Sequence, residues 1–405
     1  MPMPLHILVI GAGVGGISVA RGLMRDGHDV TVFERRPDSQ PGGGAVTIWP
    51  NGARVLDQLG VDMDGAGQLL STVRVKTPTG RRITTVDLST ITARLGAPVR
   101  MVPRRLLLAR LLEGFPAQRI RFNRRAVGFV DTPDGVRVEF DDGTSAHGDL
   151  LIGADGLHSL VRDHVGGPAA RPTGWCSWQG LVTLPGPVDR SAALMMIGEH
   201  GNLGLWPAGG SDLQWWFDLP WASDFVRPPR SLDMLRSHFT GWSELVDRVL
   251  VTLSDEDLAP SPFPHFRHPI PRTGRGAVTL LGDAAHTMPP TLAQGTNQAL
   301  LDTMVLCKAL SDLDQTPQGG GRHLVGALRW YEKTRRRQVK AVSWVTTQQV
   351  SRSESTLRPA AMISDRFMTW ALTTFLQKVS HSRMSAAISR DLAAAAPARE
   401  RSEAR

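Results

Sequence analysis

Cysteine is nearly absent from this chain: Cys176 and Cys307 are the only two, and neither stands at a metal-ligand spacing. That excludes a disulfide-stapled scaffold and a zinc cluster, and it predicts a cytoplasmic protein held in reducing surroundings. No apolar run approaches the roughly 20 residues that a spanning helix needs. No basic stretch leads into an apolar one at the N-terminus, so neither a membrane partner nor a signal peptide is expected. Tyrosine is reduced to Tyr331 alone, which argues against chemistry built on a relay of tyrosine hydroxyls. Charge of one sign is not concentrated either. The formal excess of +8 is spread along the chain, and its densest cluster, Arg335-Arg336-Arg337, reads as a solvated helix face, so no nucleic acid is expected.

What is present is an ordinary soluble composition, 41% hydrophobic and 21% charged, in a chain of 405 residues that is long enough for two cores. Leu5 to Ile10 predicts a buried strand, followed by a glycine turn, a helix from Val14 to Asp26 and a second strand from Asp29 to Phe33. A helix is expected over 106–112, and short strands over 127–130, 136–140 and 150–152. Beyond Gly174 prolines and tryptophans become frequent, and 180–184, 204–206 and 213–219 read as strands of a separate, mostly antiparallel sheet. A strand at 278–281 and a helix at 295–310 follow, then a loop at 315–321 and helical pattern from Leu324 to Ile388.

The turn Gly11-Ala12-Gly13-Val14-Gly15-Gly16 carries the first chemistry. Gly11 permits a tight exit from the strand, Gly13 lets backbone approach a pyrophosphate, and Gly16 lets helix pack on sheet, with Val14 opening the helix. Glu34 ends the second strand, where a carboxylate accepts hydrogen bonds from ribose hydroxyls and disfavours a 2′-phosphate; Arg35 follows it. These residues alone leave NAD and FAD both open.

Two further segments separate them. The run from Asp149 to Arg162, containing Asp155-Gly156, resembles the Asp-Gly fingerprint of the class A flavoprotein aromatic hydroxylases, the p-hydroxybenzoate hydroxylase-like FAD monooxygenases. Gly282-Asp283-Ala284-Ala285-His286-Thr287-Met288-Pro289-Pro290 resembles their Gly-Asp fingerprint. The resemblance implies that Asp283 binds the ribityl chain of FAD and that Arg104 reaches the cofactor. It also puts Ala45, Val46 and Asn51 beside the ring, and has Gly295, Thr296 and Asn297 stabilise negative charge there from a helix start. The chain departs from the family at Ala45, Thr47 and Ala293, where glycines are usual. The implied fold is α/β. A Rossmann-like FAD-binding domain (1–75, 100–173, 272–325) interleaves with a substrate-binding sheet domain (76–99, 174–271), ahead of a C-terminal helical segment (326–392) and a disordered tail (393–405).

The implied activity uses NADH or NADPH and O2 to form a flavin C4a-hydroperoxide, which hydroxylates or epoxidises an aromatic, indolic or polycyclic molecule, in secondary metabolism. The alternatives are a flavin reductase or oxidase without oxygen transfer, or a non-catalytic flavin-binding module. A halogenase is opposed by the missing Trp-x-Trp-x-Ile-Pro pattern. The tryptophans Trp175, Trp178, Trp206, Trp215, Trp216, Trp221 and Trp242 all fall in the sheet region. Thr47, Trp178, Trp206, Trp215, Trp216 and Pro290 are therefore candidate substrate contacts, and His200 is a candidate base. In 214–219, alternation turns Trp215, Phe217 and Leu219 to one face and Gln214, Trp216 and Asp218 to the other. No metal is expected, and the chain is read as a monomer or homodimer.

Overall fold

A computed structural model describes residues 4–39, 43–186, 188–222, 225–269, 274–311, 313, 320–350, 353–357 and 362–379. The expected tail at 393–405, the end of the expected helical segment at 380–392 and most of the expected loop at 315–321 lie outside these residues.

The strand His6–Ile10 is a run of Ile, Leu and Val because both of its faces are covered, leaving Ile7, Leu8 and Val9 with no exposure. It pairs in parallel with Asp29–Phe33 on one side and Leu150–Gly153 on the other. Val278–Leu280 and Ile120–Arg121 extend this parallel sheet, and Gly274–Arg275 adds an antiparallel edge, giving six strands. The chain leaves His6–Ile10 towards one neighbour while the other arrives from much later in sequence. Such a switch point leaves a crevice beyond the strands' C-terminal ends.

Helix Val14–Arg25 packs its buried Ile17, Ala20 and Leu23 against the sheet and against helix Gly295–Ser311. The approach is close: a Cβ on Gly22 would lie 2.7 Å from Cys307 Sγ.

The second domain is a seven-stranded sheet with strand order Phe263–Arg267, Arg171–Thr183, Asp212–Pro220, Asn202–Gly209, Ala192–Ile197, Thr72–Lys76 and Arg82–Asp87. All pairs are antiparallel except Ala192–Ile197 with Thr72–Lys76. Residues 72–75 and 171–173, expected in the first domain, are strand residues of this sheet. Helices Ser231–Phe239 and Glu244–Thr252 cover one face, where Trp178, Trp215 and Phe217 are fully buried. The other face turns towards the cofactor domain and packs with the small sheet of Ala45–Ile48, Arg100–Pro103 and Gln68–Leu69.

The expected helical stretch from Leu324 is divided in the structure. Gly320–Gln348 is one long helix, Glu354–Leu357 is a single turn, and Asp365–Val379 returns to the sheet domain. There Asp365 accepts the Thr85 N–H at 2.9 Å, and Thr369 Oγ1 accepts the Asp87 N–H at 3.1 Å.

Arg335 corrects the reading of Arg335-Arg336-Arg337 as a solvated face, because it is only 1% exposed. Its Nε donates to Asp302 Oδ1 at 2.5 Å, and its guanidinium also donates to the Gln298 carbonyl at 3.1 Å. Asp302 Oδ2 accepts the Gly282 N–H at 2.7 Å and pairs with His286 Nε2 at 2.6 Å. Burial alone would push the Asp302 carboxyl up. The charges of His286 and Arg335, with these hydrogen bonds, outweigh burial and hold it at about 2.

Asp302→Asn should destabilise the protein by about 3 kcal/mol or more, because it leaves the Arg335 charge buried without its counter-ion. Denaturant unfolding of the variant against the parent measures this. The Asp302 contribution is fully present above the unfolded carboxyl value of about 4 and is lost as pH falls from there through its folded value of about 2. The parent's stability advantage over Asp302→Asn should accordingly shrink across that window.

Candidate active site

Three backbone segments meet at the crevice, and glycine is what allows it. Gly11 has φ +104°, and a Cβ there would lie 2.4 Å from the Ala154 carbonyl oxygen. A Cβ on Gly16 would lie 1.9 Å from the Gly11 oxygen, and one on Gly15 would lie 2.7 Å from Leu281 Cδ1. Gly13 differs: a Cβ there meets nothing within 4 Å. The space beside it is open, and no side chain caps the start of helix Val14–Arg25. Those helix N–H groups and the positive end of the helix dipole are therefore directed at a cradle suited to an anionic group.

Glu34, 5% exposed, is tied into the same turn. Its Oε2 accepts the Ala12 N–H at 2.8 Å, and its Oε1 accepts the Arg36 N–H at 3.0 Å. A carboxylate has lone pairs beyond these two bonds for further donors. Arg35 is exposed.

The Asp-Gly and Gly-Asp segments are joined by Arg162, which is 1% exposed. Its guanidinium donates to the carbonyls of Ala284 and Ala285 at 3.2 and 3.0 Å. Asp155 Oδ2 accepts the Val161 N–H at 3.3 Å, while Oδ1 is buried with no partner. Burial raises the Asp155 carboxyl above the usual range, against the hydrogen bonds it receives. Asp283 is exposed at the start of helix Asp283–His286, with its Oδ1 near the Gly295 backbone.

Asn297 is fully buried and acts as a clamp. Its Oδ1 accepts the Trp49 N–H at 2.9 Å, and its Nδ2 donates to the Thr47 and Ala293 carbonyls, each at 2.9 Å. That fixes strand Ala45–Ile48 against the start of helix Gly295–Ser311 and leaves the Gly295 and Thr296 backbone facing the cleft. Asn51 Nδ2 donates to Gln294 Oε1 at 3.1 Å, which joins the same two segments. Ala293 keeps a left-handed backbone, φ +48°, at the position where the family usually has glycine. That conformation costs an alanine about 1 kcal/mol. Arg104 is exposed beside this strand, and its N–H donates to the Gly44 carbonyl at 3.1 Å.

Among the candidate substrate residues, Trp206 and Trp216 lie on the cofactor-side face with ring centroids 5.7 Å apart. Thr47 is buried with its hydroxyl towards Met101, and Pro290 is exposed at the opening of a short turn. Trp178 and Trp215 belong to the opposite face. Period-two alternation places them in the core under the two helices, and they line no cleft. His200 is also removed from the site. It is exposed in the turn between Ala192–Ile197 and Asn202–Gly209, beside His238 on the outer helix. Tyr331 is buried, with its hydroxyl donating to the Leu280 carbonyl at 3.0 Å, so it is committed to structure.

Sequence reasoning passed over Gln214 and Asp302. Gln214 Oε1 accepts the Ala45 N–H, and a Cβ on Gly44 would lie 2.1 Å from that oxygen. The signal for Asp302 was available, since it is the single acid in the apolar run from Ala299 to Leu306. The signal for Gln214 was only its place in the alternation.

The switch-point crevice, the uncapped helix start at open Gly13 and the partnerless buried oxygen of Asp155 fit a long dinucleotide. Together with the interleaved sheet they define a dinucleotide-binding oxidoreductase scaffold. The chain belongs to the FAD binding domain family, whose model matches residues 5–345. It is 32% identical over 338 residues to a FAD-dependent urate hydroxylase of Klebsiella oxytoca, covering 82% of this chain and 86% of that protein. It is 34% identical over 340 residues to a 3-amino-4-hydroxybenzoate 2-monooxygenase of Streptomyces cremeus, covering 82% and 83%. Among solved structures, Klebsiella pneumoniae HpxO complexed with FAD and uric acid superposes with a TM-score of 0.82 at 27% identity, covering 92% of this chain and 97% of that one.

Gly13→Ala should weaken FAD binding at least about tenfold, equivalent to 1.4 kcal/mol, because the added methyl enters the open cradle. The stability of the cofactor-free protein should change little. Gly16→Ala should fail to fold instead, since backbone oxygen occupies the position of its Cβ. FAD titration by fluorescence, with unfolding of the apo-protein, separates the two effects.

Proposed function

We propose that this protein is an FAD-dependent monooxygenase that hydroxylates or epoxidises an aromatic or heteroaromatic small molecule at the expense of NADH or NADPH and O2. The observation that carries this reading is the cofactor-side face of the inserted sheet, with Trp206, Trp216 and Gln214, which lies against the ring-side strand Ala45–Ile48 of an FAD-family crevice. The named relatives are hydroxylases and monooxygenases of urate and of aminohydroxybenzoate, so the reading extends to this chain a substrate class that they share.

FAD, when bound, would supply the redox chemistry with nicotinamide and oxygen that no side chain here provides. The residues divide the remaining tasks. The start of helix Val14–Arg25 with Gly13 would hold the pyrophosphate, Glu34 the adenosine ribose and Asp283 the ribityl chain. Arg104 and Asp155 would complete the grip. The N–H groups at Gly295, Thr296 and Asn297, with the positive helix end, would face charge on the ring system. Ala45 and Val46 would lie along the ring edge, positioned by Asn297 on one side and Gln214 on the other. Trp206, Trp216, Thr47 and Pro290 would bound the substrate space and exclude water. The chain would act as a monomer or homodimer, and a place in secondary metabolism suits the substrate class.

Purified FAD-loaded protein should oxidise NADH or NADPH under air, faster with a neutral or amine-bearing aromatic such as an indole or an aminophenol. One atom of ¹⁸O from labelled O2 should enter the product. A flavin that neither nicotinamide reduces would sink the reading in favour of a binding module. Reduction that yields only hydrogen peroxide across such a panel would favour an oxidase.

A further inference from the structure

We infer that Asp218 is the substrate-recognition group of the cleft, selecting a neutral or cationic aromatic that presents an O–H, N–H or amine to it and rejecting aromatic carboxylates. The inference rests on the monooxygenase reading for its cleft and goes beyond it by assigning the substrate's polar group.

Position comes first. Asp218 stands opposite Ser177 on one neighbouring strand and Asn202 on the other, on the face that also carries Gln214 and Trp216. Two corners of that face are anchored to cofactor-side segments. At one, Gln214 accepts the Ala45 N–H. At the other, the His268 N–H donates to the Thr287 carbonyl at 3.0 Å and the Thr287 N–H donates to His268 Nδ1 at 3.0 Å, just before Pro290. Asp218 lies between these anchors, its side chain 15% exposed.

Its hydrogen bonding has a direction. Ser177 Oγ contacts both Asp218 Oδ1 and His265 Nε2, the latter at 2.7 Å. A serine carries one hydroxyl proton, and a carboxylate needs it, so His265 Nε2–H donates to Ser177 and Ser177 donates to Asp218. His265 Nδ1 is then bare, in accord with its being buried without a partner. Oδ1 of Asp218 is thereby occupied, and Oδ2 has no protein donor among the described residues.

The surroundings decide the sign of what can bind. From Ser177 to Leu181, Ala193 to Met195, Asn202 to Trp206 and Gln214 to Asp218, the face contains neither lysine nor arginine, and Arg267, two residues beyond His265 on the edge strand, is exposed to solvent. His265 does not replace them, since burial holds it neutral down to about 4. Burial pushes the Asp218 carboxyl up to about 7, against the Ser177 bond, so it is able to accept from a donor or pair with a cation near neutral pH. A carboxylate placed here would be buried beside another carboxyl with no counter-charge, which is strongly unfavourable. A hydroxyl, ring N–H or ammonium supplies the donor that Oδ2 lacks.

The test uses FAD-loaded enzyme at pH 8 and two probes that share one ring, tryptamine and indole-3-acetate, with binding read from the flavin absorbance. Tryptamine should bind at least about tenfold tighter, and Asp218→Asn should bring the two affinities together. Asp233→Asn, on the exposed outer helix, should leave the ratio as in the parent. Equal or tighter binding of indole-3-acetate, an unchanged ratio in Asp218→Asn, or the binding of neither probe would overturn the inference. The parent ratio alone decides the first and third outcomes if Asp218→Asn does not fold. Failure of nicotinamide to reduce the flavin would instead strike the monooxygenase reading, and the binding ratio would still be measurable.

Discussion

A carboxylate with no solvent exposure at all organises this molecule. Asp302 draws a backbone N–H from Gly282, the ring of His286 and the guanidinium of Arg335 onto its two oxygens. A buried charge is tolerated only when its partners are fixed in place. The partners here come from the turn after a sheet strand, from the short helix that Asp283 opens and from the long C-terminal helix. The direction in which Asp283 projects towards the crevice therefore depends on a helix that takes no direct part in the site. Arg162 performs the matching task from the other side by donating to the two middle carbonyls of the same short helix, those of Ala284 and Ala285.

The seven-stranded sheet shows how one element serves stability and selectivity together. On one face Trp178, Trp215 and Phe217 are buried under two helices, and their large apolar areas hold the domain together. On the other face the same strands present Gln214, Trp216 and Asp218 to the cofactor domain. Because a strand alternates strictly, a large side chain on one face obliges its neighbours to face the other way. The core tryptophans thus fix the register that aims the polar residues.

Much of the scaffold was legible in order. The glycine turn, the carboxylate ending the second strand and the two later fingerprints are local features whose spacing follows from backbone geometry, and the elements around them were found close to their expected positions. Less legible was which large residues meet a ligand. Trp178 and Trp215 are as aromatic as Trp206 and Trp216, and composition treats the four alike. His200 read as a base because histidine has a suitable pKa, whereas the fold leaves it in an outer turn beside His238. Arg335 read as solvated because it stands among arginines, and only its phase on the helix, set by packing against Gly295–Ser311, turns it inward.

By itself, then, the sequence determined the cofactor end of this protein. The turn needs glycine where side chains would collide with backbone, and that requirement is written locally at Gly11 and Gly16, while Gly13 leaves the space beside the helix start open. Tertiary structure alone decided the substrate end. Ser177, Asp218 and His265 are far apart in the chain, and nothing in the residues near any of them signals the others. They meet because three antiparallel strands pair side by side, with a register shift between those of Ser177 and His265, and a register is a property of pairing between strands that no single segment encodes.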